Sequence, residues 1–259
     1  MMVKRNKIIS ISVAVSFVLI VILFLSLKGK VLNKSIDVKF IKNGGENIIS
    51  VEEIRNIVLH QYPNFVNMNA DEINLSLLEI EIEKNPSVKD ADVFKKFGGI
   101  LSVEIEQRIP IVRVINNKNK SFYIDTEGSL MPISKIKSAR VVVANGNIKK
   151  QYKNVCENIF ADSVVNKTLI DIYKIVVAIQ KDKFLTAQIE QIYVTNSKEY
   201  ELVPMVGRHT VMLGDTFNLE NKLVYLKYFY QNVLNKVGWN QYTYINIKFN
   251  GQIVCTKKE

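Results

Sequence analysis

The chain is poor in the residues that carry metal and nucleophile chemistry: among 259 residues there are two cysteines, Cys156 and Cys255, and two histidines, His60 and His209. Neither cysteine stands in a CxxC or other ligand spacing, which argues against a metal site. An oxidising compartment would permit a bridge between them, but spacing alone leaves pairing open, and two unpaired, half-buried thiols are the default reading. His60 falls in a helical pattern and His209 beside Gly207, so each reads as a surface or structural residue. No GxSxG, HExxH or SxxK stands in a plausible context, so hydrolase chemistry has no evident nucleophile and base. Glycine and proline are scarce too, at 11 and 5, and with 47% apolar residues the chain is globular rather than disordered. It has no internal repeat and no low-complexity linker.

The net charge is +10, and Lys4, Arg5 and Lys7 supply three of those positives without an acid before Leu27. The remaining lysines are scattered singly through polar loops. A nucleic-acid footprint would need a clustered basic face, so none is expected.

One long apolar run is present. Ile8 to Leu27 holds twenty positions without a charge, interrupted only by Ser10, Ser12, Ser16 and Ser26. At about 1.5 Å per residue it covers roughly 30 Å, the hydrocarbon thickness of a bilayer, so a single membrane-spanning helix is expected. A cleavable signal peptide is the rival, but Phe24-Leu25-Ser26 and Leu27-Lys28-Gly29 are poor cleavage sites. Flanking charge scarcely sets the orientation. Length does: residues 1–7 have nothing to fold, so the amino terminus is read as cytoplasmic and the rest as external. Residues 28–35 serve as a linker.

From Ile36 the period changes in order. Ile36, Val38 and Phe40 alternate as a strand and Asn43-Gly44-Gly45 turns it. Ser50 with Glu53 forms a capping box for a helix through Ile54, Ile57, Val58 and Gln61, stopped by Pro63. A second helix is expected from Asn69, carrying Ile73, Leu77, Leu78 and Ile80 to Asn85-Pro86. Val88, Ala91 and Val93 begin a strand, Gly98-Gly99 turns it, and Leu101, Val103 and Ile105 return it.

Beyond Pro110, Ile111–Ile115 and Phe122–Ile124 read as strands, and Asp125-Thr126-Glu127-Gly128 as a turn rather than a catalytic carboxylate pair. Val141, Val142 and Val143 form a buried strand closed by Asn145-Gly146. Residues 164–181 are helical through Leu169, Ile172, Tyr173, Val176 and Ile179. Strand signals follow through Ile189, Ile192, Val194, Tyr200, Leu202, Val203 and Val211. Leu219, Leu223, Leu226, Tyr230, Val233 and Val237 then make a helical stripe expected to pack on the sheet. Last comes a hairpin: Tyr242, Tyr244, Ile245, Ile247 and Phe249, the turn Asn250-Gly251, and a closing strand from Gln252 to Thr256. With no later segment to cover it, that strand offers a free edge for β-augmentation, although Lys257, Lys258 and Glu259 would also blunt it.

The order strand, helix, helix, strand, strand resembles a POTRA domain, over residues 36–107. Pro86, Val88, Ala91 and Val93, followed by Gln107-Arg108-Ile109-Pro110, are similar to the "P-[WY]-V-x-x-A-x-V" and "E/Q-R-x-P" patterns of the FtsQ/DivIB cell-division family. Ser87 stands where that family commonly has an aromatic. "YIDTEGSLMPIS" extends the resemblance into residues 108–259, a β-rich domain. The resemblance implies an α+β fold and a non-enzymatic, single-pass scaffold of the inner membrane at the division septum, with its C-terminal domain in the periplasm. It implies FtsB- and FtsL-like partners, and through them regulation of the septal peptidoglycan synthase. FtsB would add a strand beside Gln252, Ile253, Val254, Cys255 and Thr256, supported by Tyr244, Ile245, Ile247 and Phe249. It implies no cofactor, metal, nucleic acid or small-molecule substrate. A membrane-anchored periplasmic hydrolase and a POTRA-bearing transport or secretion component are the alternatives; the latter normally brings tandem modules or a barrel.

Overall fold

The structure is a computed structural model that describes residues 16–20, 32–41 and 47–258. The expected turn Asn43-Gly44-Gly45 and most of the expected span Ile8–Leu27 lie outside them; residues 16–20 of that span are helical and exposed. Among the described residues no helix is long and apolar enough to cross a membrane.

The first module is a three-stranded sheet in the order β1 (Ser35–Ile41), β3 (Ile100–Gln107), β2 (Val88–Lys96). β1 runs parallel to β3, and β2 and β3 form an antiparallel hairpin. Helices α1 (Val51–Gln61) and α2 (Leu75–Glu83) bury Ile54, Val58, Leu78 and Ile82 against Leu101, Val103 and Ile105. Ser50 caps α1 by accepting from the Glu53 amide at 3.0 Å. The Glu53 carboxylate is engaged elsewhere, accepting from Asn85 Nδ2 at 2.9 Å, so it ties the start of α1 to the end of α2.

The second helix begins later than the sequence predicts. Asn69 caps only the single turn Ala70–Glu72, and Asn74 then accepts from the Leu77 amide to start α2 at Leu75. Two successive caps move the register, so Leu77 and Ile80 are exposed at 54% and 53% while Leu78 and Ile82 are buried. On the outer side of β2, Glu79 and Glu83 of α2 accept from the amides of Val93 and Ala91. That edge is closed by its own helix.

The second module is a nine-stranded mixed sheet ordered β12-β11-β10-β9-β8-β7-β4-β5-β6. Its strands are β4 (Pro110–Ile115), β5 (Ser121–Asp125), β6 (Leu130–Met131), β7 (Val142–Gly146), β8 (Ile189–Val194), β9 (Tyr200–Pro204), β10 (Thr210–Gly214), β11 (Tyr242–Asn246) and β12 (Val254–Lys257). β8, β9 and β10 form the expected meander, whereas β7 pairs in parallel with both β4 and β8, and β11 in parallel with β10. Helices α3 (Lys167–Gln180), α4 (Lys183–Gln188) and α5 (Leu219–Phe229) share one apolar core with the sheet.

Four expectations for this module need correction. α3 starts at Lys167 rather than residue 164, because the Asp162 carboxylate holds the amides of Val164 and Val165 in a turn. β7 includes Asn145 and Gly146, which pair with Tyr193 and Val194, and only Ala144 on it is fully buried. After Tyr230 a π-turn, Tyr230–Leu234, inserts one residue, so Leu234 continues the buried stripe while Val237 is 46% exposed. Both cysteines are unpaired, but Cys156 is exposed; only Cys255 is half-buried.

Buried polar groups set the details. Lys222 on α5 is 5% exposed, and its ammonium donates to the carbonyls of Leu213 and Asp215 and to the Asp215 carboxylate. That hydrogen bond holds the Asp215 carboxyl below its usual range. His209 is 3% exposed, its Nε2 lying 2.8 Å from the Tyr230 hydroxyl. Gly207 makes room for the imidazole: at φ +101° it takes a left-handed conformation, and a Cβ there would lie 2.6 Å from His209 Cε1.

The two modules meet at Arg108, the residue after β3. Its guanidinium donates to Asp125 Oδ2 at 2.9 Å and to Ser129 Oγ at 3.2 Å, while Asp125 Oδ1 accepts from the amides of Glu127 and Ser129. Lys89 of β2 bridges Glu106 and Glu127 across the same junction. Ile48 donates to the Gln107 side chain, and its carbonyl accepts from Ser134.

Asp125→Ala is therefore expected to leave Arg108 without its buried partner and to cost about 3–5 kcal/mol, read as a lower urea midpoint. Burial pushes the His209 pKa below its ordinary value, against a smaller opposing effect of the Trp239 main chain. The folded chain then binds that proton less readily than the unfolded chain, so this contribution is complete above the unfolded histidine value of about 6.5 and is lost as pH falls below it. Between neutral and mildly acid pH, His209→Gln is expected to lose less unfolding free energy than the wild type; equal losses would show that His209 does not titrate in this way.

Candidate docking interface

β11 and β12 form the end of the large sheet. Tyr244 pairs with Thr256, Ile245 with Cys255 and Asn246 with Val254. On its other side β11 pairs with β10, placing Tyr244 opposite Thr210 and Ile245 opposite Val211. Among the described residues β12 has one strand neighbour, because the sheet order ends with it.

The nine residues expected at the interface fall into different places. Tyr244 and Ile245 lie in β11, and Val254, Cys255 and Thr256 in β12; Ile247 and Phe249 lie past the end of β11, and Gln252 and Ile253 precede β12. The structure thus shortens both strands relative to the sequence reading. Asn246 explains the end of β11, since its carboxamide turns back to accept from the Lys248 amide at 2.9 Å. Ile245 and Ile247 are core residues, at 0% and 2% exposure, and Ile253 and Cys255 pack on the same core. Burial pushes the Cys255 thiol pKa up, which keeps it a neutral packing group. Tyr244, Val254, Thr256 and Phe249 are exposed.

The main-chain direction of β12 follows from its hydrogen bonds. Lys258 donates to the Gln241 carbonyl at 2.9 Å, and the Thr256 carbonyl accepts from the Thr243 hydroxyl. Successive strand residues alternate, so Val254 and Thr256 turn their amides and carbonyls toward β11 while Cys255 and Lys257 turn theirs to the open side. The register shift between Tyr242 and Tyr244 sits on β11 and leaves this alternation intact.

Two of the other three sheet edges are met by neighbouring groups, while β1, the third, is likewise an edge strand, with Arg55 donating to its Ile36 carbonyl. β2 is satisfied by Glu79 and Glu83; beside β6, the Leu130 amide donates to the Glu157 carbonyl and Ser129 bridges Asn158. Among the described residues no comparable contact covers the open side of β12.

The face of the sheet away from the helices extends this edge. The pairings align Tyr193, Glu201, Met212, Asn246 and Val254 across five strands, and beside them Gln191 with Val203, and Thr210 with Tyr244 and Thr256. Of these residues only Tyr244, Val254 and Thr256 were expected at the interface from sequence. The signal was available as the polar member of each alternating pair, but alternation cannot tell which strands are neighbours.

Chemically the surface offers main-chain donors and acceptors flanked by an isoleucine-free, mixed polar and aromatic face. Among the described residues no three His, Cys, Asp or Glu side chains gather to hold a metal ion. Asp125 is engaged with Arg108 and its own turn, and His209 with Tyr230.

Comparison with known proteins adds two matches that together run along both modules. Residues 32–106 match a POTRA-like domain, and residues 109–256 match the family described as FtsQ/DivIB, C-terminal related. The chain is also 25% identical over 187 residues to the cell division protein DivIB of Clostridium tetani (strain Massachusetts / E88), covering 70% of this chain and 66% of that protein, just under two thirds of its length. With more than half of its residues inside the family match and the sheet ending in an uncovered hairpin, the chain belongs to the FtsQ/DivIB family.

Proposed function

We propose that this protein is a single-pass scaffold of the bacterial division machinery, located at the septum, with Ile8–Leu27 as its anchor and both folded modules on the outer side of the inner membrane. Its role is to dock FtsB- and FtsL-like partners and through them to regulate septal peptidoglycan synthesis, without catalysing a reaction itself. The observation that carries this reading is the uncovered β12 edge in a chain of this family. The curated relative, a cell division protein by name, supports the same process.

In this reading a partner strand pairs with the outward amides and carbonyls of Cys255 and Lys257. Val254 and Thr256, with Tyr244 beside them, present side chains that select among partners, and main-chain pairing supplies affinity. Ile245, Ile247 and Ile253 act indirectly, by holding the hairpin on the core.

The alternation along β12 separates docking from folding. Cys255→Pro removes an amide that faces the open side, whereas Val254→Pro removes one directed at β11. Losing one main-chain hydrogen bond costs roughly 1 kcal/mol and the proline ring also obstructs the approaching strand, so Cys255→Pro is expected to weaken capture of FtsB-like partners about tenfold or more with little change in the denaturation midpoint. Val254→Pro is expected to lower the midpoint as well. Pull-down and urea unfolding of the two variants check this, and a Cys255→Pro protein that captures partners as the wild type does would remove β12 as the docking strand.

A further inference from the structure

Phe97 stands at the tip of the β2–β3 hairpin and is 101% exposed, the most exposed large apolar side chain among the described residues. The parallel pairing of β1 with β3 sets Ser35 opposite Ile100, so the start of β1 and the hairpin tip lie at the same end of the first sheet. The chain leading into β1 is pinned there. Lys34 donates its amide to the Gly99 carbonyl at 2.7 Å, and Asn33 donates both its main-chain and side-chain N–H to the Met68 carbonyl. Gly99 is what allows this contact: at φ +82°, a Cβ on it would lie 2.1 Å from the Leu32 carbonyl oxygen.

Leu32 is only five residues beyond Leu27, the last residue of the apolar run. Five residues extend at most roughly 18 Å. The polar headgroup layer adds about 5–7 Å to each side of the hydrocarbon core, so the tip cannot stand far from the lipid surface if that run spans. Leu32 is itself 48% exposed beside the tip.

The charge around Phe97 has the sign that such a surface favours. Lys95 and Lys96 immediately precede it, Lys34 lies against Gly99, and Lys28 and Lys30 occur between the apolar run and Leu32. Asp71 and Asp37 oppose them, held 3.8 Å from Lys95 and 2.9 Å from Lys96. A fully exposed aromatic ring flanked by lysines is the arrangement by which peripheral segments seat in an anionic interface: the ring enters the headgroup boundary while the ammonium groups stay among the phosphates.

We propose that the Phe97 tip is a membrane-contact site for the anionic lipid surface into which the chain is anchored, giving the first module a second attachment beside its covalent tether. The proposal rests on Ile8–Leu27 being a span. It assigns a task to a hairpin turn that the docking of division proteins at β12 does not use.

The test uses the full chain reconstituted in vesicles of phosphatidylcholine with phosphatidylglycerol. Trp239 is the chain's one tryptophan, so Phe97→Trp adds a single reporter whose signal is obtained by difference from the wild type. Emission from position 97 is expected to shift to shorter wavelength and to be lost when the phosphatidylcholine is brominated in its acyl chains, with less quenching in phosphatidylcholine alone or at high salt. Flotation of the protein with vesicles after an alkaline wash reports the anchor separately. Retained flotation with no quenching at position 97 would overturn the tip contact while leaving the anchor intact, and would instead place the tip in water or against a protein. Quenching unaffected by phosphatidylglycerol or salt would overturn the part assigned to the lysines. Loss of flotation would overturn the span on which the proposal rests.

Discussion

Arg108 reaches Asp125 where the two sheets come together, and the relative geometry of the two folded modules depends on that contact. The side chains are 13% and 2% exposed. A carboxylate so far from water needs every acceptor site used, and Asp125 has the guanidinium on one oxygen and two turn amides on the other. The same group that shapes the β5–β6 turn therefore fixes the residue that leaves β3. Lys89, Gln107 and Ile48 add contacts around it. Such a pair contributes little net stability over an apolar substitute. Its consequence is directional: separating the modules here would leave both buried charges without these partners.

That arrangement separates the surfaces to which roles are given above. In the sheet order β12 is seven steps from β5, the strand that carries Asp125. At about 4.8 Å per step the proposed docking edge stands roughly 34 Å from the junction along the sheet. The strands between them are paired throughout and covered on one face by α3, α4 and α5. A rigid sheet of this kind presents its last strand at a set distance from the first module, whose far end carries the Phe97 tip.

Much of this was legible in the sequence where information is local. The Ser50 cap, the alternation of Leu101, Val103 and Ile105, the meander, and the terminal hairpin each depend on neighbours a few residues apart. The double start of α2 was not, because Asn69 and Asn74 are both good caps and only packing decides which one begins the longer helix. Lys222 reads as a solvent lysine until the fold brings the Leu213 and Asp215 carbonyls to it. Arg108 stands at the junction of the modules and Asp125 lies 17 residues further on in a turn, so neither predicts the other. For the candidate edge, the sequence located the hairpin but set its strands too long, and the direction of the β12 amides emerged only with the pairing register.

The shortness of β12 has its own physical logic. Four residues expose few main-chain groups, and the lysines at 257 and 258 oppose stacking of a second copy on the edge. A strand this short would bind weakly from free solution. For proteins anchored in one membrane, however, tethering raises the effective concentration into the millimolar range, so modest pairing is enough when the geometry allows both attachments at once. The same reasoning makes orientation matter more than contact area. A docking strand held by a rigid sheet, on a module held near the lipid, would meet a co-anchored partner with little of its freedom left to lose, and the buried pair at Arg108 and Asp125 is what keeps that freedom small.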